Sequence, residues 1–225
     1  DLRTPLNGIL GMIESAFNAV EDKKIKKKLK IAIHSANHLM FMINDILDFS
    51  QITNQTLSLN FENVSLAGVI TDLFKLMKSQ AKRRGVLLKL ENLVPLSCTL
   101  YVDPNRLKQI LLNLLGNAIK FTPKGGLVTL RITKDSYLEG NALSTEGINE
   151  EERAESFRGN VDCVVFEVED TGVGIDAADI PKLFKLYGKL KQTDREINKN
   201  GVGLGLAISQ KLATMLVPEN YGGIK

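Results

Sequence analysis

Residues 113–122 read NLLGNAIKFT, and the organisation of the chain follows from the helix that contains them. Asn113 and Asn117 stand four apart and project from one helical face, and Lys120 follows less than a turn later. Two carboxamide oxygens and an ammonium directed to one place suit a hydrated Mg²⁺ with its phosphates, because Mg²⁺ keeps several waters and takes few hard oxygen ligands. Alone, the same pattern describes any polar helix face. The surrounding stretch YVDPNRLKQILLNLLGNAIKF, residues 101–121, reads as that helix, with Asp103 as its N-cap and Pro104 in the first turn, where a missing N–H costs nothing.

Outward from this helix the pattern alternates between helix and strand. Val64 to Arg84 has helical amphipathic spacing and stops at Gly85, and VLLKLEN at 86–92 reads as a strand. GGLVTLRITKD at 125–135 and DCVVFEVED at 162–170 are strands of alternating or buried type. GLGLAISQKLATML at 203–216 is a second long helix. Helices interleaved with strands, some of them antiparallel neighbours, predict an α/β sandwich with helices on one sheet face. Between the last two strands, residues 136–160 are rich in Glu, Asn, Gly and Ser and poor in apolar side chains, which is expected of a long, mobile hairpin loop.

Two glycine clusters lie in this region. VEDTGVGI, 168–175, ends a strand with Asp170, Gly172 and Gly174; a carboxylate there can accept a hydrogen bond from an exocyclic amine, and the glycines let backbone approach a ring. NGVGLGLAIS, 200–209, places Gly201, Gly203 and Gly205 just before a helix, whose unpaired N–H groups favour phosphate. No Gly-Lys-Ser/Thr follows and the dinucleotide spacing fails, so this is neither a P-loop nor a dinucleotide fingerprint.

The first fifty residues carry a different signal. An apolar seam with gaps of four and three runs through Leu2, Leu6, Ile9, Ile13, Ala16 and Val20, and a second through Ile25, Leu29, Ala32, Ala36, Leu39, Ile43 and Ile46. An average spacing of 3.5 keeps a stripe facing a partner helix. Glu21 to Lys24 make a polar turn, so the two helices form a hairpin. Further apolar rows, Leu10 with Phe17 and Ile33 with Met40 and Leu47, are wider than one hairpin covers, and two hairpins forming a dimeric four-helix bundle would bury them. The expected organisation is a helical hairpin over 1–53, a polar connector over 54–63 and an α/β unit over 64–225, an α+β chain.

Composition bounds the remaining possibilities. The chain has 225 residues, net charge +3, 44% hydrophobic and 24% charged residues, the make-up of an ordinary soluble globular protein. The basic run KKIKKKLK at 23–30 keeps Ile25 and Leu29 on the seam, so its lysines are a solvated face; with charge nearly balanced and no aromatic interleaving, no nucleic-acid partner is expected. No apolar run approaches the roughly 18 residues a membrane span needs, so membrane contact by this segment is not expected. Cys98 and Cys163 are isolated, small apolar fillers in a reducing compartment. His34 and His38 share a face at i, i+4 spacing, but it is the outward one and no carboxylate or cysteine completes a metal site.

In this order the motifs resemble the ATP-binding domain of sensor histidine kinases, with its N, G1 and G2 boxes. The resemblance covers nearly the whole chain: LRTPLNGILGM (2–12) is similar to the family's H box, INDILDFSQI (43–52) to the end of its second helix, and IPKLFKLYGKL (180–190) to the F box before the ATP lid. It implies a homodimeric helical bundle followed by an α/β sandwich of the gyrase, chaperone and histidine-kinase type, with ATP and Mg²⁺ as cofactors. Asn113, Asn117 and Lys120 would serve Mg²⁺ and the phosphates, with both asparagines as metal ligands; Asp170 would hold the adenine amine. Gly172, Gly174, Gly201, Gly203 and Gly205 would supply backbone contacts to the nucleotide. In a lid spanning 187–201, Lys189, Lys191 and Arg195 would reach phosphates, and Phe184 and Tyr187 would anchor its base.

The resemblance also implies a reaction. The γ-phosphoryl of ATP would pass to a histidine immediately before Asp1, outside this sequence, and then to the receiver domain of a response regulator in the same or another polypeptide. Asp1 would orient that imidazole and Thr4 would position water in the reverse phosphatase reaction, with Pro5 kinking the helix beside them. The nucleotide domain would continue beyond NYGGIK, 220–225, into a further strand. The segment would be cytoplasmic and could belong to a membrane-anchored receptor. Two alternatives stand beside this reading. Superfamily ATPases carry a water-activating glutamate where Asn113 stands, and an amide cannot act as that base. A degenerate, non-catalytic dimerisation module is the other.

Overall fold

A computed structural model describes residues 3–95, 97–138, 160–184 and 203–217. Two compact units divide at 58/59. Expectations concerning Asp1, Gly201, residues 139–159 of the expected 136–160 loop, the lid side chains Tyr187, Lys189, Lys191 and Arg195, and the terminal NYGGIK lie outside the described residues, whereas the ends of that loop, 136–138 and Asn160, prove to be strand, extending the pairing of the two strands beside it.

The first unit contains α1 (Arg3–Ala19) and α2 (Lys23–Thr53). Asp22 starts α2: its Oδ1 accepts from the backbone N–H of Lys24 at 2.6 Å and of Ile25 at 3.0 Å. Leu6 and Ala36 of the two seams are buried. Ile9, Ile25, Leu39 and Ile46, expected on the seams, remain 44–52% exposed, and Met12 and Ile31 more so, whereas Leu10, Phe17, Ile33, Met40 and Leu47, expected to be left uncovered, are half-buried, so the exposed apolar stripe is not the one the spacing indicated. A single hairpin therefore leaves an apolar surface of the kind a second hairpin would cover. His34 is exposed, as its place off the seam predicts.

The second unit is built on a three-stranded sheet of order β2–β4–β5, with β2 (Leu87–Asn92) parallel to β4 (Leu127–Leu138) and β4 antiparallel to β5 (Asn160–Asp170). Alternate residues of the sheet, Leu88 on β2, Val128, Leu130 and Ile132 on β4, and Val164, Phe166 and Val168 on β5, join one core with α3 (Leu66–Arg84) and α4 (Pro104–Phe121). Helices on one face of a mixed sheet make the α/β sandwich. The opposite face is charged: Arg131 on β4 binds Glu91 on β2 at 2.9 Å and Glu167 and Glu169 on β5 at 2.8 and 3.2 Å, tying both neighbours to the central strand. Helix α5 (Gly205–Leu216) packs on α4. Cys98 and Cys163 are half-buried.

Two short strands depart from the reading of the sequence. Val64 and Ser65, expected in a helix, end β1 (Glu62–Ser65), and Tyr101 and Val102, expected to open α4, end β3 (Thr99–Val102). The two pair antiparallel, Glu62 opposite Val102. Neither tetrapeptide carries a strand period of its own, and their stabilising partner lies more than thirty residues away, beyond any local window. Glu62 and Asn63, at the end of the expected connector, also belong to β1. Ser65 then caps α3 by accepting from the Gly68 N–H at 3.4 Å, and Gly85, at φ +69°, closes that helix in the left-handed conformation.

Asp103 joins these parts. Buried to 4% exposure, it caps α4 through Oδ1, accepting from the N–H of Asn105 at 3.0 Å and of Arg106 at 3.1 Å, while Oδ2 accepts from the Asn60 N–H at 2.9 Å. One carboxylate thus starts the helix that bears the asparagines and holds the incoming chain against it. Asp103→Ala is expected to cost at least ~1–2 kcal/mol, the usual worth of a cap, because it also strands the Asn60 N–H. Asp103→Ser, which keeps a capping oxygen, should recover part of that loss in urea unfolding.

Candidate functional site

The apolar face of α4, Leu107, Leu111, Leu115, Ala118 and Ile119, is buried, and this turns Asn113 and Asn117 toward α5. There the two carboxamides form a short chain. Asn113 Nδ2 donates to Ser209 Oγ on α5 at 2.8 Å, and Asn117 Nδ2 donates to Asn113 Oδ1 at 3.5 Å, a long, weak bond. Gly205 makes the approach possible: a Cβ on it would lie 2.5 Å from Asn113 Oδ1. Its absence of a side chain is thus a packing requirement, separate from any backbone contact to a ligand. Ser209, 1% exposed, was not apparent as a site residue; the sequence signal is its i+4 placement after Gly205.

Asn113, expected as a second metal ligand, touches protein groups at both ends of its carboxamide, its oxygen only through the long bond from Asn117. Asn117 uses only its nitrogen, and among the described residues its Oδ1 takes no hydrogen bond. A hard, neutral oxygen on a rigid helix suits Mg²⁺, which needs few protein ligands, so the residues fit the metal through Asn117.

At the end of β5, Asp170 Oδ1 accepts from the Gly172 N–H at 2.8 Å, closing a tight turn. The Val173 N–H then donates to the carbonyl of Phe121, the last residue of α4, at 3.4 Å. A side chain at Gly172 would strike Asp170 and lie 2.9 Å from the Phe121 carbonyl oxygen. Gly174 has open space around it but φ +72°, so its requirement is conformational, as is that of Gly203 at φ +79°. The turn therefore sits against the C-terminal end of α4. Asp170 is exposed and its Oδ2 takes no hydrogen bond among the described residues.

The Lys120 ammonium lies over the Phe121 ring, 4.7 Å from the centroid, and the Lys120 carbonyl accepts from Arg84 Nη1 at 2.9 Å. With Arg84, Lys124 and Val173 it lines a recess of about 230 Å³ whose lining does not include Asn113, Asn117 or Asp170. Thr122 ends α4 by bonding its hydroxyl to the Ala118 carbonyl at 2.7 Å. Phe184 is half-buried just past a 3₁₀ turn at Ile180–Lys182.

Thr4 is exposed on α1. On α2 the structure adds a pair that sequence reading passed over: Asp45 and Asp48, one turn apart and both buried. Burial, reinforced by the charge of Asp48, raises the Asp45 carboxyl to about 6. Carboxylates three apart within an apolar run, INDILDF, are the sequence signal for such a pair.

Residues 102–221 match the family described as Histidine kinase-, DNA gyrase B-, and HSP90-like ATPase, and residues 1–55 match the His Kinase A (phospho-acceptor) domain. The first match defines the class, a nucleotide-binding ATPase fold. With the phospho-acceptor region ahead of it, the chain belongs to the sensor histidine kinases. The chain is 34% identical to the Aerobic respiration control sensor protein ArcB of Escherichia coli K12 over 99% of its length. It is 32% identical to the Autoinducer 2 sensor kinase/phosphatase LuxQ of Vibrio vulnificus CMCP6 over 97%. It spans about a quarter of the length of these relatives, 25% and 23%. Among solved structures it superposes on full-length ShkA in complex with AMPPNP with a TM-score of 0.64 and 28% identity, covering 95% of this chain and 38% of that one. Among the described residues no helix is long and apolar enough to cross a membrane.

The Asp45 carboxyl generates a pH prediction. Its folded-state value lies above the ordinary 3.8, so the folded state holds the proton more tightly than the unfolded state does. The penalty of the charged form is therefore present above about 6 and is relieved as pH falls toward 3.8. Asp45→Asn is expected to raise the thermal midpoint of the helical signal at pH 8 and to have little effect near pH 4, as followed by circular dichroism.

Proposed function

We propose that this chain is the catalytic core of a protein-histidine kinase, which takes ATP as substrate with Mg²⁺ and passes its γ-phosphoryl to a histidine immediately preceding Asp1. Onward transfer goes to an aspartate in the receiver domain of a response regulator, carried on the same polypeptide or a separate one. The core works as a homodimer through the apolar surface that one hairpin leaves exposed, and on the cytoplasmic side, where ATP is supplied.

The observation that carries the reading is Asn113. Where an ATP-hydrolysing relative needs a carboxylate to take a proton from water, this chain has an amide hydrogen-bonded to Ser209 at 2.8 Å. An amide has no proton affinity near neutral pH, so water is left unactivated and a protein acceptor is favoured. The helical hairpin supplies the setting for that acceptor.

The residues divide the work of positioning, which with charge neutralisation is most of what phosphoryl transfer requires. Asn117 offers Oδ1 to the metal; Mg²⁺, when bound, spreads the charge of the phosphates. Asp170, with one oxygen committed to its own turn, offers the other to an exocyclic amine, which supports adenine as the base. Gly172 and Gly174 keep that turn free of side chains, and Gly203 and Gly205 start α5 with its unpaired N–H groups near the phosphates. Gly201 belongs to the same glycine cluster. Lys120 contributes by leaving the Phe121 ring. Asp1 orients the acceptor imidazole and Thr4 positions water for the reverse reaction.

The test is phosphorylation of the full-length protein from γ-labelled ATP. Acid-labile, base-stable label is expected, falling about a hundredfold or more in Asn117→Ala and Asp170→Ala. Absence of label, with phosphate released to water instead, would move the protein to the hydrolysing ATPases; label that survives both substitutions overturns the site.

A further inference from the structure

We infer that the open edge of β2 is a second self-association surface, on which β2 of another copy of this chain lies antiparallel about a two-fold axis through Leu90. This surface is separate from the apolar face of the hairpin. Its use joins the sheets of two α/β units into one.

Among the described residues β2 pairs with β4 alone. The backbone N–H of Leu87 donates to the Gly126 carbonyl and that of Leu93 to the Ile132 carbonyl, both at 2.9 Å. Odd-numbered residues from Leu87 to Leu93 therefore turn their amides and carbonyls toward β4, and Leu88, Leu90 and Asn92 turn theirs outward. Native sheets usually blunt such an edge with a proline, a bulge, a charge or a covering loop. Leu87–Asn92 contains no proline or glycine, and its register with β4 runs without a bulge. Leu87, Leu90 and Leu93 are 66, 38 and 73% exposed, so no described residue covers the edge. The guard that remains is the charge of Lys89.

That charge selects both the occupant and its register. Lys89 and Glu91 stand on the face of the sheet away from the core, with the Lys89 ammonium 2.7 Å from Glu91 Oε1 and Arg131 Nε 2.9 Å from Oε2. An antiparallel copy centred on Leu90 sets Lys89 opposite Glu91 of that copy, on both sides of the axis, and Leu87 opposite its Leu93. The Lys89 side chain, 56% exposed, has three donors to share between the two carboxylates. The same centre sets Leu90 against Leu90 and Leu88 against Asn92, so each outward N–H meets an outward carbonyl. Centring on Lys89 or on Glu91 instead puts like charges face to face, which destabilises a cross-strand pair. A second copy thus matches charges, leucines and backbone groups together, by symmetry.

Hydrogen exchange of the full-length protein, resolved to single amides, tests the pairing. In the wild type the outward amides of Leu88 and Asn92 are expected to exchange about tenfold or more slowly than in Leu90→Pro, which removes an outward N–H and spares the ladder to β4. Lys89→Glu and Glu91→Lys, each alone, set like charges opposite one another and should lose that protection. Co-expressed, the two variants set a glutamate opposite a lysine at both positions and should regain it. The inward amides of Lys89 and Glu91 report that the strand itself stays folded in every variant. Outward amides that exchange in the wild type as fast as in Leu90→Pro would overturn the inference, as would protection that survives either charge variant. So would co-expressed variants that remain unprotected, because only a second copy supplies the complementary charge.

Discussion

The burial of one face of α4 is the constraint on which the rest of the nucleotide-binding unit depends. Leu111, Leu115 and Ile119 are at most 1% exposed, packed between α3 and the inner face of the sheet. A helix cannot rotate when that many side chains interdigitate with a core, so the opposite face is set as firmly as the core is. Asn113 and Asn117 lie there, and their orientation is a by-product of hydrophobic packing. The site's precision thus comes from apolar side chains that take no part in its chemistry.

Each end of α4 is also tied. At its start, Asp103 spends both carboxylate oxygens on backbone N–H groups, two of the helix and one of the incoming chain. At its end, the Phe121 carbonyl receives the Val173 N–H of the turn that carries Asp170. The residues proposed to meet metal and base therefore stand on one rigid element and on a turn bonded to it. Preorganisation of this kind lowers the reorganisation that charge transfer would otherwise demand. The Lys120 ammonium, at the same end of α4, rests over the Phe121 ring.

The helical unit obeys a different constraint. Its hairpin carries more apolar surface than two helices can hide from each other, and it also buries two carboxylates, Asp45 and Asp48. A raised pKa at Asp45 means that part of the unit's stability is given up at neutral pH. Hydrophobic excess and buried charge on the same α2 are both costs for an isolated hairpin, and the proposed association with a second copy would relieve the first.

Much of this was determined by the sequence alone. The two hairpin helices, the caps Asp103 and Gly85, and the strands β2, β4 and β5 are local patterns, because hydrogen bonds one turn away and side-chain periodicity are written within a few residues. The order of the asparagine and glycine boxes also carried the family. Tertiary structure alone decided the pairing of β1 with β3, since each tetrapeptide becomes a strand only against a partner far along the chain. It alone brought Ser209 to Asn113, because the two lie 96 positions apart and no local pattern records their meeting. Which residues are polar and four apart is a property of the chain; which of their atoms remain free for a ligand depends on what the fold brings beside them.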